Sequence, residues 1–174
     1  LNFLDTFGLD NGSKLIKLIE ILFKAKKCSA NITFSQFFEK TKIKFNVLAC
    51  CLNTTSEVCF NHETFPDMEV IKAIRTSCSI PFIYEPVRIE DKLYVDGGII
   101  NNFPIEYFND NIEETLGILI IGANYYFEEI TTIQEYWGSV IRNSMFKYIK
   151  NKIEKYEKHI LKIECSKEIC KINI

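Results

Sequence analysis

A carboxylate followed directly by two glycines is the stretch of this chain whose residue types most clearly suggest a functional site. The segment YVDGGIINNFP runs from Tyr94 to Pro104, and within it Asp96 precedes Gly97 and Gly98. An acid that ends a strand and points into a loop lies where α/β proteins build their sites. Glycines beside it permit positive φ angles and a close approach of other backbone. The alternative is a tight turn in which the carboxylate only accepts hydrogen bonds from nearby amides.

Several other side chains could take part in the same chemistry. Asn101 and Asn102 can satisfy loose backbone groups in the loop. His62, in the stretch NHETFPDM, invites a Ser-His-Asp interpretation with Asp96, although a loop histidine is more often a hydrogen-bonding surface group. Ser77 and Ser79 lie close in sequence to Pro81, but they end a predicted helix and do not form a strand-to-helix elbow.

The cysteines do not predict a metal site or a disulfide framework. Their number is odd, and no C-x-x-C pair occurs. Cys50 and Cys51 are adjacent on a predicted strand, so they point to opposite faces and cannot easily serve one ion. We therefore expect reduced thiols packed as small apolar residues in a cytosol-like compartment. The seven cysteines are Cys28, Cys50, Cys51, Cys59, Cys78, Cys165 and Cys170.

The composition and net charge of the chain argue against nucleic-acid-binding and membrane-spanning proteins. The chain has 174 residues, 47% of them hydrophobic, which is enough for one domain with a core. There are 21 basic and 23 acidic residues, so the net charge of −2 does not indicate a nucleic-acid-binding protein. No apolar run is long enough for a membrane span, and no signal peptide is recognisable. These features predict a cytoplasmic protein, with any membrane contact peripheral.

The order of predicted elements indicates an α/β fold, because strands and helices alternate along the chain. Apolar residues at helical spacing follow Asn11–Ser13, and Thr33 with Gln36 forms a capping-box pattern before a short helix. Pro66 and Asp67 are expected to open a further helix that ends near Ser77. Predicted strands comprise 45–52, which is apolar on both faces, a strand around Val58 and Phe60, a hairpin of 87–89 with 93–95, a buried strand at 116–123, and 160–165.

One long amphipathic helix is predicted over 133–156, with several lysines on its polar side. A basic amphipathic helix can lie on a membrane surface. A helix that packs on a sheet and keeps its other face in water is the commoner case, and we favour it here.

Three ordered landmarks resemble the patatin-like phospholipase family of lipid acyl hydrolases. They are the segment AIRTSCSIPFIYEP from Ala73 to Pro86, the hairpin after it, and YVDGGIINNFPI from Tyr94 to Ile105. Upstream, FNVLACCLNTTSEVCFNHETFPDMEV from Phe45 to Val70 is similar to the family's strand, hairpin and lead-in helix. The Asp-Gly-Gly triplet alone is a weak signal, but the ordered set at this spacing is a strong one.

The resemblance implies a three-layer α/β/α sandwich with a mostly parallel central sheet, formed by residues 1–174 as a single domain that lacks its N-terminal part. It implies hydrolysis of acyl esters of phospholipids or other lipids, with no metal and no organic cofactor. By the same correspondence Asp96 is the base of a Ser-Asp dyad, and Gly97 and Gly98 shape its turn. Asp96 is then expected at the C-terminal end of a strand, in a concave region beside the Ser77–Pro81 segment.

The chain departs from the family pattern at the nucleophile. None of its seven glycines brackets a serine at G-x-S-x-G spacing, and the glycine-rich oxyanion loop is missing as well. The chain therefore resembles the C-terminal part of the catalytic domain, and by itself we expect it to be inactive. The alternative function is that of a catalytically inactive remnant that binds lipid or a protein partner.

Overall fold

The computed structural model describes residues 3–122 and 129–165. By the contacts between their residues, they form two compact units, Leu1–Ile100 and Asn101–Ile174, and each is described by itself. The prediction of a single domain over 1–174 stays a prediction. Helices and strands alternate along the chain as predicted, so the α/β class is confirmed.

Residues 3–100, which are the described part of the first unit, contain six strands in two sheets. Strands β3, β2, β6 and β5 form a four-stranded sheet in that spatial order, with every neighbouring pair antiparallel. Strands β1 and β4 form a separate parallel pair. The strands are β1 (Gly8–Asp10), β2 (Val47–Cys51), β3 (Ser56–Phe60), β4 (Phe82–Tyr84), β5 (Val87–Ile89) and β6 (Lys92–Asp96).

The largest sheet described is therefore antiparallel, whereas a mostly parallel one was predicted. The reason lies in the connections, since β2–β3 and β5–β6 are joined by short turns, and a short turn can connect only antiparallel neighbours. The third pairing, between β2 and β6, places Ala49 opposite Asp96. The parallel pairings that the structure describes lie in the two-stranded sheets.

Two of the three helices predicted for the first unit begin where the sequence predicts, and the third does not. The Thr33 side chain accepts from the Gln36 amide and the Gln36 side chain accepts from the Thr33 amide, so the predicted capping box is confirmed. The helices are α1 (Phe3–Thr6), α2 (Ser13–Ala25), α3 (Phe34–Thr41), α4 (Val70–Ser77) and α5 (Gly98–Asn101), whose last residue belongs to the second unit.

The exception is α4, which begins at Val70 and not at Pro66 or Asp67 as expected. Residues 66–69 run beside the start of α3 instead, where the Pro66 carbonyl accepts from the Ser35 amide and an isolated bridge joins Thr33 to Glu69. These tertiary hydrogen bonds compete with the first helical turn, so the local start signal is overridden.

The core of the first unit lies between the sheet and α3 and α4. Alternate residues of β2 point into it, as the period-2 geometry of a strand requires. Cys50, on the opposite face of β2, is also buried at 4% exposure, but Leu52, on the same face of the predicted strand 45–52, is 49% exposed. The prediction of a strand covered on both faces is therefore confirmed at Cys50 and wrong at Leu52. The buried residues of the core are Ile32, Phe34, Val47, Ala49, Cys51, Phe60, Val70, Ala73 and Tyr94.

The second unit contains β7 (Gly117–Gly122), α6 (Ile133–Lys155) and β8 (Ile160–Cys165), preceded by a 3-10 segment over Ile105–Glu114. The predicted long helix and the predicted last strand are confirmed, each to within one residue. Strands β7 and β8 pair in parallel from Gly117 opposite Ile160 to Gly122 opposite Cys165. A small core joins Phe103, Ile105, Leu119 and Tyr156, with Ile149 and Ile153 of α6 packed against it. The helix therefore packs against the small core of its own unit, which agrees with the packed helix that the sequence favoured over a membrane-surface helix.

The prediction that β7 is a buried strand is wrong for one of its faces. Leu119 is 6% exposed, but Ile118 and Ile120 are 56% and 67% exposed. Within the second unit, Ile149 and Ile153 of α6 pack against the cluster that contains Leu119. Ala123 of the predicted strand and Cys170 lie outside the described residues. Among the helices of residues 3–122 and 129–165, none combines the length and the apolar character needed to cross a bilayer.

Replacing glycine with alanine should have opposite effects on stability at two positions of the fold, Gly97 and Gly138. A Cβ on Gly97 would lie 2.6 Å from the Leu48 carbonyl oxygen of β2, whereas a Cβ on Gly138 in α6 would meet nothing within 4 Å. Gly97→Ala should lower the free energy of unfolding by about 1–3 kcal/mol, because the backbone must shift. Gly138→Ala should raise it by up to ~1 kcal/mol, since alanine favours the helix.

The measurement is hydrogen exchange of β2 amides for the first unit and of α6 amides for the second. Unchanged β2 protection in Gly97→Ala would show that the turn and β2 do not pack as tightly as the structure places them.

Candidate active site

Asp96 is the last residue of β6, and its backbone is fixed on two sides. It pairs with Ala49 of β2, and its amide donates a 3.0 Å hydrogen bond to the Ser79 carbonyl, two residues beyond α4. The expected placement at a strand end, beside the Ser77–Pro81 segment, is therefore confirmed, and the expected concave region around Asp96 stays a prediction. The catalytic role of Asp96 stays a prediction.

The carboxylate of Asp96 is held by one of its two oxygens. Oδ1 accepts a 2.7 Å hydrogen bond from the Gly98 amide, while Oδ2 has no hydrogen-bond partner in the described part of the chain. Burial raises the pKa of Asp96 above its usual value, and the bond from Gly98 opposes that rise. A carboxylate with one anchored oxygen, one available oxygen and a raised pKa has the properties of a general base.

The two glycines after Asp96 serve different needs. Gly97 is buried against β2, where the Leu48 carbonyl leaves no space for a side chain. Gly98 begins α5 and supplies the amide that binds the carboxylate. Neither glycine has a positive φ, so the structure needs glycine at position 97 for the close approach of backbone and not for an unusual dihedral angle.

Behind this turn lies a buried cation that the sequence did not single out. Arg75 of α4 is 5% exposed, and its Nη1 donates to the Ser79 Oγ at 2.5 Å. Its Nη2 donates to the carbonyls of Asn11 and Glu85, both at 3.1 Å. The available signal was its position one helical turn after the buried Ile71, which places a charge on the apolar face of α4.

The serines weighed as alternative nucleophiles occupy the same region. Ser79 is fully buried, and its Oγ both donates to the Arg75 carbonyl and accepts from the guanidinium, so the hydroxyl has a structural role. Ser77 is the half-buried last residue of α4. Neither lies at a strand-to-helix elbow, where a nucleophile is presented to a substrate.

His62 is not joined to Asp96 by any hydrogen bond or ion pair of the described residues. Its ring stacks on Phe38, with centroids 3.9 Å apart, and its Nε2 lies 3.6 Å from the Glu63 carboxylate. Its buried Nδ1 has no partner in the described part of the chain. The described contacts of His62 therefore give no support to a Ser-His-Asp arrangement with Asp96.

The five cysteines whose side chains are described are free thiols. Cys50 and Cys51 are buried in the sheet, as expected for packing residues. Cys78 lies near the site, and burial together with the Asp96 carboxylate raises the pKa of its thiol. Within residues 3–122 and 129–165, no three potential ligands come together in a way that could hold a metal ion.

Asn101, expected to stabilise the loop, is 8% exposed and is tied into the second unit. Its amide donates to Glu106 at 2.9 Å, and its Oδ1 accepts from the Lys152 ammonium at 2.6 Å. Lys152 also binds both oxygens of Glu106, and these bonds lower the pKa of that carboxyl against the opposing effect of burial. Asn102 is exposed.

Comparison with known proteins gives consistent results. The chain is 37% identical over 99 residues to a "Probable lipid hydrolase" of Invertebrate iridescent virus 6, covering 57% of this chain and 34% of that protein. It is 38% identical over 120 residues to an uncharacterized protein of Acanthamoeba polyphaga mimivirus, covering 69% of this chain and 39% of that one. A Bacillus subtilis protein matches over 49 residues at 45% identity, covering 25% of this chain and 17% of that protein.

The chain thus spans well under half the length of these relatives. The family model for the patatin-like phospholipases matches residues 1–109. That region is more than half of the chain and includes the Asp96 turn, the Arg75–Ser79 segment and the whole four-stranded sheet. The chain belongs to the patatin-like phospholipase family.

Proposed function

We propose that this chain supplies the general base, Asp96, of a lipid acyl hydrolase that cleaves carboxylic esters of phospholipids or related acyl lipids. The observation that carries the proposal is the Asp96 carboxylate itself, anchored at Oδ1 by Gly98, available at Oδ2 and raised in pKa by burial. Family membership and the relative named as a probable lipid hydrolase support the same chemistry.

In the proposed reaction, Oδ2 of Asp96 takes the proton from a serine hydroxyl as the serine oxygen attacks the ester carbonyl carbon. The carboxyl then returns that proton to the departing alcohol, leaving an acyl-serine. In the second half, Asp96 takes a proton from water as the water oxygen attacks the acyl carbon. The bond to the serine oxygen then breaks, Asp96 returns the proton to that oxygen, and the fatty acid is released. A serine is a weak nucleophile until a base is placed beside it, so the position of Oδ2 sets the rate.

The serine in this proposal comes from outside residues 1–174, because no serine of the chain has G-x-S-x-G spacing. For the domain that contains both groups, we propose the three-layer α/β/α sandwich. The substrate implies peripheral contact with a lipid surface, and a cytoplasmic location is part of the same proposal. The second candidate is a remnant that binds lipid or a protein partner without catalysis.

The first test replaces the base. In a protein that contains this chain together with the nucleophile serine, Asp96→Asn should reduce kcat on a phospholipid ester by on the order of 10²–10⁴-fold, since an amide cannot take the proton. Asp91→Asn, in the exposed β5–β6 turn, is the matched control and should leave kcat unchanged. Retention of more than about a tenth of the activity by Asp96→Asn would exclude Asp96 as the base.

The second test concerns stability and needs no turnover. The pKa of Asp96 is higher in the folded state than its ordinary value of 3.8, so folding favours the protonated carboxyl. The contribution of Asp96 to stability is present below that ordinary value and is lost as pH rises through the folded-state pKa. Asp96→Asn should therefore be more stable than the wild type at neutral pH, and this gain should shrink as the pH falls toward 4.

Urea unfolding of both proteins across this pH range gives the difference directly. Asp91→Asn, which removes an exposed carboxylate, controls for the loss of a formal charge. A gain that stays constant with pH would contradict a raised pKa at Asp96.

The third test asks whether this chain holds a nucleophile of its own. A serine-directed fluorophosphonate probe should not label the 174-residue chain stoichiometrically, because Ser79 is fully buried and Ser77 ends a helix. Mass spectrometry of the treated chain is the measurement. Stoichiometric labelling of either serine would show that the nucleophile is misplaced in the proposal.

A further inference from the structure

Arg75 is a buried charge that is held by neutral groups. Its guanidinium donates to the Ser79 hydroxyl and to the main-chain carbonyls of Asn11 and Glu85, with an additional 3.4 Å contact from Nε to Asn11. In the described part of the chain it forms no ion pair with a carboxylate. Burial lowers the pKa of Arg75, and the Asp10 and Glu85 carboxylates oppose this only through space. A buried cation with no carboxylate in contact depends on its hydrogen-bond acceptors, so each of them is strongly constrained.

The three acceptors come from three separate segments. Asn11 precedes α2, Ser79 follows α4, and Glu85 follows β4. The planar guanidinium offers its donors at fixed angles, so it sets the relative placement of these segments in a way that a flexible ammonium does not. Gly12 leaves the space that the guanidinium occupies, because a Cβ at that position would lie 2.0 Å from the Arg75 Nε.

One of these segments also holds the candidate base. The Ser79 hydroxyl bonds to Arg75 twice, to its guanidinium and, as a donor at 3.0 Å, to its carbonyl. The Ser79 amide donates to the Thr76 carbonyl, and the Ser79 carbonyl accepts the amide of Asp96 at 3.0 Å. Ser79 is thus fixed at its side chain and at both main-chain groups, and Asp96 is bonded to the fixed residue.

We propose that Arg75 is a positioning residue for Asp96, acting through the hydroxyl and carbonyl of Ser79. The inference rests on the proposed function of Asp96. The guanidinium does not touch the reacting atoms. It fixes the residue to which the Asp96 backbone is bonded, and it thereby holds the carboxylate at the distance from the serine that proton transfer requires. A displacement on the order of 1 Å is enough to slow such a step by about 10²-fold.

The experiment uses Arg75→Lys, Ser79→Ala, the double variant and Thr33→Ala, in a protein containing this chain and the nucleophile serine. Arg75→Lys keeps the positive charge but loses the planar guanidinium, whose donors point at fixed angles. Ser79→Ala removes only the linking hydroxyl and is the milder change. Thr33→Ala removes the α3 capping box and is the control for lost stability, since its hydrogen bonds lie in α3 and not at Asp96.

Two quantities are measured below the melting temperature of every variant. The first is hydrogen exchange of the Asp96 amide, which reports its bond to Ser79 without any turnover. In Arg75→Lys and in Ser79→Ala it should become at least about tenfold faster. The second is the split between kcat and KM, where kcat should fall by roughly 10- to 100-fold with KM within about twofold, as expected for a misplaced catalytic group.

The double variant tests whether Arg75 acts on Asp96 through Ser79. If Arg75 acts through Ser79, the double variant should lose about as much kcat as the worse single variant, and not the product of the two losses. Thr33→Ala should keep both the Asp96 exchange rate and kcat. The proposal is overturned by multiplicative losses, by unchanged Asp96 exchange in Ser79→Ala, or by an equal effect of Thr33→Ala.

Failure of the proposed function has a different signature. If Asp96→Asn retains its turnover, the assignment of Asp96 as the base is wrong, and the positioning proposal falls with it, whatever the exchange rates show. If Asp96→Asn abolishes turnover while Arg75→Lys has full kcat and faster Asp96 exchange, the base is correct and only the positioning role is overturned.

Discussion

The hydrogen bond from the Asp96 amide to the Ser79 carbonyl connects the two features on which the first unit is built. On one side is the antiparallel sheet, in which β6 pairs with β2 and ends at Asp96. On the other side is the segment that follows α4, where Ser79 is held by the buried guanidinium of Arg75. Because the bond is made by main-chain atoms, it depends on where these elements lie and not on which side chain occupies position 96.

The close packing of this junction explains its residue types. Gly97 sits against the Leu48 carbonyl of β2, so the chain can turn directly after the strand and bring the Gly98 amide back to the carboxylate. Ser79 is fully buried, and its small side chain hydrogen bonds in both directions. Small residues here shorten the distance between α4 and β6, and polar ones satisfy the groups that this approach buries.

The same junction carries an energetic conflict. The carboxylate of Asp96 is partly removed from water and receives one described hydrogen bond, so its ionised form is disfavoured relative to an exposed aspartate. A fold selected only for stability would place an amide or an apolar group at such a position. The conflict is typical of functional sites, where a group is kept in the environment that its chemistry needs and the surrounding packing compensates for the cost.

The sequence by itself determined the local features of this protein. The capping box at Thr33, the hairpin of β5 and β6, the strand that ends at Asp96 and the long helix over Ile133–Lys155 all follow from short-range patterns. The order of the motifs around Ala73–Pro86 and Tyr94–Ile105 was enough to predict the family. Each of these depends on residues that are near one another in the chain, so their physical cause is visible in the sequence.

Only the tertiary structure decided which of these elements meet. The pairing of β2 with β6, the start of α4 at Val70 and the exposed face of β7 depend on contacts between distant segments. Arg75 is the clearest case, because Asn11 lies 64 residues away in sequence and Glu85 lies 10 residues away. A charged residue on a helix is normally solvated, and nothing in its own neighbourhood in the sequence shows that three carbonyl and hydroxyl acceptors from separate segments will surround it.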